Sequence, residues 1–242
     1  MARILCITAH PDDEAANFGG AVARYTEQGH ECRLVCLTAG EAARNRGGAV
    51  DNAGLQALRR QELAESCRKI GFAAQEVWDL PDAHLPEAPF HATVGRLVGV
   101  VRSFRPRLVL SLGPEGSVTA HPDHAMAGLL ATAAFHWAGQ ERFYPELRLA
   151  AHQAERLYYP TAVAQPPNFP RVWLPHADVV LDIGAHLETK IAAFRSHHTQ
   201  APLFDRVEVL LRLGGSREMY HLAAGRALPE GGTADDLLAG LG

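Results

Sequence analysis

The sequence predicts an α/β fold: a mainly parallel sheet covered by helices on both faces. Three observations carry this. Short β-branched, apolar runs alternate with stretches of helical length through residue 135, the pattern of strands buried on both sides. The first strand–helix–strand unit has the length of a right-handed parallel crossover. At 242 residues, 47% hydrophobic and 21% charged, the chain is large enough to bury a full core as one domain, 1–242.

The elements follow in order. Ile4 to Thr8 is apolar without helical periodicity and ends at Pro11, so it reads as a buried strand. Ala21 to Gln28 reads as a helix closed by Gly29, and Arg33 to Thr38 as the second strand. Glu41 to Gly54 is polar, with Gly47-Gly48, and is expected to be a mobile loop. Leu55 to Ile70 sets Leu55, Leu58, Leu63, Cys67 and Ile70 along one side of a helix, stopped by Gly71. Glu76 to Leu80 is a short strand, Pro89 to Phe104 a helix ended before Pro106, and Leu108 to Leu112 a strand. A further helix runs to residue 135.

After Glu141 the character changes, and a C-terminal elaboration is expected. Arg156 to Tyr159 and Val179 to Ile183 read as strands, and His186 to Phe194 as a helix. Pro160 to Pro175 carries five prolines and reads as a long irregular segment. The Gly-rich tail from Leu228 is expected to fray.

Composition excludes several classes. A net charge of −4 without a basic cluster leaves no electrostatic footprint for nucleic acid. The longest apolar stretch, Ala125 to Phe135, is about half the roughly 20 residues of a membrane span. His10 ends the first apolar run, so the N-terminus does not resemble a signal peptide. Cys6, Cys32, Cys36 and Cys67 form no CxxC pair and read as buried, reduced thiols, which makes the cytoplasm the expected address. Neither GxGxxG nor a P-loop follows the first strand, which argues against a nucleotide-binding protein without metal chemistry.

Two clusters carry chemistry. Ala9-His10-Pro11-Asp12-Asp13-Glu14 follows the first strand, and His121-Pro122-Asp123-His124 follows the strand at Leu108. In open α/β sheets ligands bind outside the carboxyl ends of strands. A strand order of 3-2-1-4 makes these two strands neighbours and brings both clusters to one edge. Imidazole and carboxylate together suit a divalent ion such as zinc, iron or manganese. His10 with Asp13, and His121 with His124, each have a spacing of three, which lets both members face one point. Three ligands would leave an open, catalytic position and four a closed one; the surplus of acid–base groups favours the open version.

These residues resemble the PIG-L/LmbE-like superfamily of zinc-dependent N-deacetylases. AHPDDE and HPDH carry the resemblance. Thr38-Ala39-Gly40-Glu41 is similar to the family's T-x-G-E, Arg59 with Glu62 to its R-x-x-E, Asp79-Leu80-Pro81-Asp82 to its DLPDG with Ala83 in place of Gly, and Lys190 followed by His197-His198-Thr199-Gln200 to its K…H-x-[ST]-Q. The resemblance implies a Rossmann-like fold and one zinc per chain held by His10, Asp13 and His124. It makes Asp12 the general base and gives a protonated His121 the oxyanion and the leaving amine. Asp123 then orients a neighbouring imidazole. Some members place a tyrosine two residues before the second motif, where this chain has Thr119.

The resemblance also implies a small N-acylated amino-sugar substrate, such as an N-acetylglucosaminyl compound; the hydrophilic loops at Glu41 to Gly54 and His197 to Gln200 offer hydrogen-bond partners for sugar hydroxyls. It leaves a homo-oligomer open. Alternatives are an amidase of the thiol-conjugate type and a metal-binding protein without catalysis.

Overall fold

The computed structural model describes residues 1–162, 171–214 and 216–241. Its strands are β1 (Arg3–Thr8), β2 (Glu31–Thr38), β3 (Ala74–Leu80), β4 (Leu108–Ser111), β5 (Arg156–Thr161), β6 (Val179–Asp182) and β7 (Arg217–Gly225). Its helices are α1 (Gly19–Glu27), α2 (Asn52–Ile70), α3 (Phe90–Phe104), α4 (Pro122–Ala138), α5 (Leu187–Phe194) and α6 (Phe204–Leu213). The strands form one sheet in the order β3-β2-β1-β4-β5-β7-β6. β1 to β5 run parallel, and β7 pairs antiparallel with β5 and β6.

The central strands explain the architecture. Ile4 to Ile7 of β1 and the whole of β4 are buried, because α3 and α4 pack together on one face and α1, α2 and α5 on the other. Local signals set the helix ends. Asp51 caps α2 by accepting from the Gly54 N–H at 2.7 Å, and Gly71, at φ +100°, closes it. Pro122 occupies the first turn of α4, where its missing N–H costs nothing. A Cβ on Gly128 would lie 2.3 Å from the Leu112 carbonyl, so glycine lets α4 press onto the end of β4.

The observed order contains 3-2-1-4, the arrangement that brings both clusters to one edge. Most elements differ from expectation only at their ends; Asn52, Ala53 and Gly54, for example, belong to α2 rather than to the preceding loop. Two elements, α6 and β7, go beyond the expected set. The Arg217–Gly225 run lacks a clean alternation, since β7 lies between β5 and β6 and its burial comes from neighbours. The tail also departs from expectation: Val180 N–H donates to Ala234 O at 2.8 Å, Tyr25 OH to Asp236 at 2.6 Å, and Leu237 is buried. Residues 163–170 of the proline-rich segment lie outside the described residues. Among the described residues no helix is long and apolar enough to cross a membrane.

Candidate metal centre

The carboxyl ends of β1 and β4 bring His10, Asp13 and His124 together. His10 Nδ1 lies 3.3 Å from His124 Nε2, and His124 Nε2 lies 3.2 Å from Asp13 Oδ1. Asp13 Oδ2 is 3.7 Å from His10 Nδ1. Ligands at about 2.0–2.1 Å from one tetrahedral ion stand about 3.3 Å apart. Asp13 thus turns one oxygen to each imidazole, and the three side chains together offer a small divalent cation nitrogen and oxygen donors without sulfur.

Outer partners set both imidazoles. His10 Nε2 is 3.1 Å from Asp123 Oδ2 and 3.1 Å from Asp82 Oδ1, so its hydrogen is held there and Nδ1 faces the centre. Burial opposes a charge on His10, but the hydrogen bonds to Asp123 and Asp82 and the charge of Asp13 push its pKa up to about 10. Asp13 is also buried, yet His124 and His10 hold its carboxyl well below the usual range. Asp123 is fully buried and accepts from the Ala83 and Leu85 N–H groups at 2.7 and 3.1 Å, which locks the partner of His10 in place. His124 Nδ1 meets the Thr119 hydroxyl at 3.1 Å, and that hydroxyl donates to Gly116 O at 3.2 Å. Thr119 is thus committed to His124.

Asp12 adopts φ +117°, a region that costs a non-glycine residue of order 1–3 kcal/mol. The strained turn sends neighbouring aspartates different ways: the Asp13 side chain is 5% exposed and that of Asp12 23%. Arg59 Nη2 holds Asp12 Oδ2 at 2.9 Å and also donates to Pro11 O, while Nη1 donates to Gly40 O at 3.0 Å. Gly40 has φ +72°, and a Cβ there would strike the Arg59 guanidinium. Burial raises the Asp12 pKa and Arg59 opposes the rise.

His121 is half-buried, and its Nδ1 accepts from the Asp123 N–H at 3.2 Å. That leaves the hydrogen of the neutral ring on Nε2. Burial and the adjacent His10 and His124 lower its pKa, so the neutral form is favoured over the protonated one expected from the resemblance. Its ring centroid is 5.0 Å from that of His10 and 5.1 Å from that of His124.

Glu14, the last acid of the first cluster, turns away from the centre. It bonds the buried His197 and Ser66, at 2.7 and 2.5 Å. Glu62 accepts from the Thr199 N–H and hydroxyl, both at 2.7 Å. His197, Thr199 and Gln200 are buried with protein partners and serve as internal support rather than as the hydroxyl-binding groups anticipated, while His198 is exposed. The 41–54 loop is likewise tied down, by Ala42 N–H on Asp82 at 2.7 Å and Asn45 on Gln200 at 3.4 Å.

The site and the sheet together define an α/β protein with a candidate His/Asp metal centre at its carboxyl edge. Residues 5–135 match the model of the PIG-L family, GlcNAc-PI de-N-acetylase, and the chain belongs to this family. A 1D-myo-inositol 2-acetamido-2-deoxy-alpha-D-glucopyranoside deacetylase of Saccharopolyspora erythraea is 31% identical, over 84% of this chain and 78% of its own. The diacetylchitobiose deacetylase of Thermococcus kodakarensis is 30% identical, over 84% of this chain and 71% of its own. Among solved structures, the N,N'-diacetylchitobiose deacetylase of Pyrococcus horikoshii shares the fold, with a TM-score of 0.78 at 22% identity, covering 91% of this chain and 83% of that one.

Proposed function

We propose that this chain is a zinc-dependent N-deacetylase acting on a small N-acetylglucosaminyl compound. The convergence of His10, Asp13 and His124 at 3.2–3.7 Å, with Asp12 beside them, is the observation that carries the reading. The two related deacetylases act, by name, on N-acetylated glucosamine units, and membership of the same family brings that substrate class to this chain.

His10 Nδ1, Asp13 and His124 Nε2 would hold the ion. When bound, zinc supplies a Lewis acid and lowers the pKa of a coordinated water from about 15.7 to near 7. The chain's own groups do the rest. Arg59 occupies Asp12 Oδ2, so Oδ1 is the oxygen that takes the water proton as the water oxygen bonds to the amide carbon. His121 Nε2–H donates to the carbonyl oxygen as it gains charge, which a neutral imidazole does as a hydrogen-bond donor. The C–N bond then breaks, the abstracted proton passes to the leaving nitrogen, and acetate and the free amine are released.

The test is acetate release from a panel of N-acetylglucosaminyl conjugates and thiol-conjugate amides, with Asp12→Asn alongside. The wild-type protein is expected to release acetate from the former class. Asp12→Asn should retain its zinc and lose on the order of 10²–10⁴ in rate. Activity on the thiol-conjugate amides alone would replace the deacetylase reading by an amidase, and undiminished rates in Asp12→Asn would remove the base.

A further inference from the structure

Away from this centre, a second group of metal-binding side chains converges. Asp178 directly precedes β6, His221 lies within β7, and His176 comes from the chain leading into Asp178. Asp178 Oδ1 lies 2.9 Å from His176 Nε2, and Asp178 Oδ2 lies 2.8 Å from His221 Nδ1. One donor atom from each residue falls within 4.8 Å of the other two. We infer that His176, Asp178 and His221 form a second divalent-metal site, suited to zinc and separate from the one at His10.

The carboxylate is prebuilt. Asp178 N–H donates to Tyr220 O at 2.9 Å, Ala234 N–H donates to Asp178 O at 2.9 Å, and Leu222 N–H donates to Asp178 Oδ2 at 2.8 Å. His221 is fixed by the β5–β7 ladder, where it pairs with Tyr159. Two ligands are thus set by the sheet and only His176 must be brought in. The two imidazoles meet at 74° with centroids 5.1 Å apart, so both turn nitrogens toward the one carboxylate without stacking.

The Asp–His contacts already draw the three side chains to one point. His221 Nδ1 is buried and, although close to Asp178 Oδ2, makes no well-directed hydrogen bond among the described residues. A cation seated between the three side chains would take up that nitrogen and neutralise the carboxylate. Two imidazoles and one carboxylate are zinc-type ligands, and water completes the shell. His176 is the most exposed of the three, its side chain 77% accessible, which makes this the weaker of the two sites. Its occupation would clamp the chain entering β6 onto β7. The inference shares no residue with the proposed catalytic centre and stands without it.

The experiment is a zinc titration of the full chain by equilibrium dialysis with metal analysis. Two ions per chain are expected, the second of lower affinity. His176→Ala and Asp178→Asn should each abolish the weaker equivalent and leave the tighter one, whereas the exposed His136→Ala should keep both. If the catalytic centre were wrongly assigned, the two site variants would still lower the count by one, so the two readings fail separately. Absence of a weaker equivalent up to millimolar zinc would overturn the inference, as would its survival in both site variants or an equal loss in His136→Ala. Circular dichroism confirms that each variant is folded.

Discussion

Glu14 Oε1 and His197 Nε2 meet at 2.7 Å across 183 residues of sequence, with both side chains fully buried. The other oxygen of Glu14 accepts the Asp12 N–H at 2.9 Å. A residue near the C-terminal helices therefore holds, through one carboxylate, the strained turn that aims the proposed base. Burial alone would neutralise both partners. Instead His197 draws the Glu14 pKa down and Glu14 draws the His197 pKa up, so the pair is ionic.

Removing one partner of such a pair leaves a buried charge, and His197→Ala is expected to cost about 3–5 kcal/mol by urea denaturation. The pH dependence has a sign on each side. Glu14, lowered from 4.5, contributes stability above about that value and loses it as pH falls through its folded pKa. His197, raised from 6.5, contributes fully below about 6.5 and loses it as pH rises through its folded pKa. The stability difference between wild type and His197→Ala should peak between these values; a flat difference from about pH 4 to 9 would contradict an ionic pair.

Zinc uptake is expected to release protons. With a pKa of about 10, His10 carries a proton at pH 7 in the metal-free protein, and the ion must displace it from Nδ1. Calorimetry in buffers of different ionisation enthalpy should report about one proton released per zinc at the His10 site. Affinity should accordingly rise with pH, and removal of the ion by a chelator should abolish amide hydrolysis. Uptake without proton release would mean that His10 is already neutral in the metal-free protein.

Much of this is legible in the sequence because it follows from local pattern. The helix and strand alternation yields the parallel α/β class, and with a 3-2-1-4 order the strand-end rule brings His10 to Glu14 beside His121 to His124. What local pattern does not show is long-range. Asp82 is visible only as part of a motif, yet its place at the end of β3 puts it on the same edge, where it contacts His10; the strand-end rule applied to the third strand would find it. Arg59 sits mid-helix, where nothing in the spacing shows that its guanidinium reaches back to Pro11 and Asp12. His197 to Gln200 reads as a polar run because burial is decided by partners elsewhere, here Glu14 and Glu62. β7 is a strand by virtue of its neighbours.

Ala83 offers a test of stored backbone strain. It has φ +64°, where an L side chain costs roughly 1–2 kcal/mol and glycine costs little. The family's motif has glycine at this point. Ala83 N–H nonetheless donates to Asp123 Oδ2 at 2.7 Å and to Asp82 at 2.9 Å, so the turn is held by the outer partners of His10. Ala83→Gly is expected to raise stability, by up to about 1 kcal/mol after the added entropy of the unfolded chain is set against the relieved strain. A loss of stability in denaturant melts would show that the turn is not strained.

Thr119 gives the sharpest test of how the centre is supported. Its hydroxyl accepts from His124 Nδ1–H and donates to Gly116 O, so one side chain fixes both the tautomer and the orientation of the ring. Gly116 has φ +84° and cannot carry a Cβ without striking the backbone of Ala120 and His121, so the anchor is itself rigid. Thr119→Val keeps the shape and removes the hydroxyl. It should weaken zinc binding by about 10–100-fold, the usual effect of deleting an outer partner of a ligating histidine. Thr119→Ser restores the hydroxyl and should recover most of the affinity in a chelator-competition assay. Equal zinc affinities in the valine and serine variants would show that the hydroxyl does not position His124, while a wild-type protein that binds no zinc would remove the centre itself.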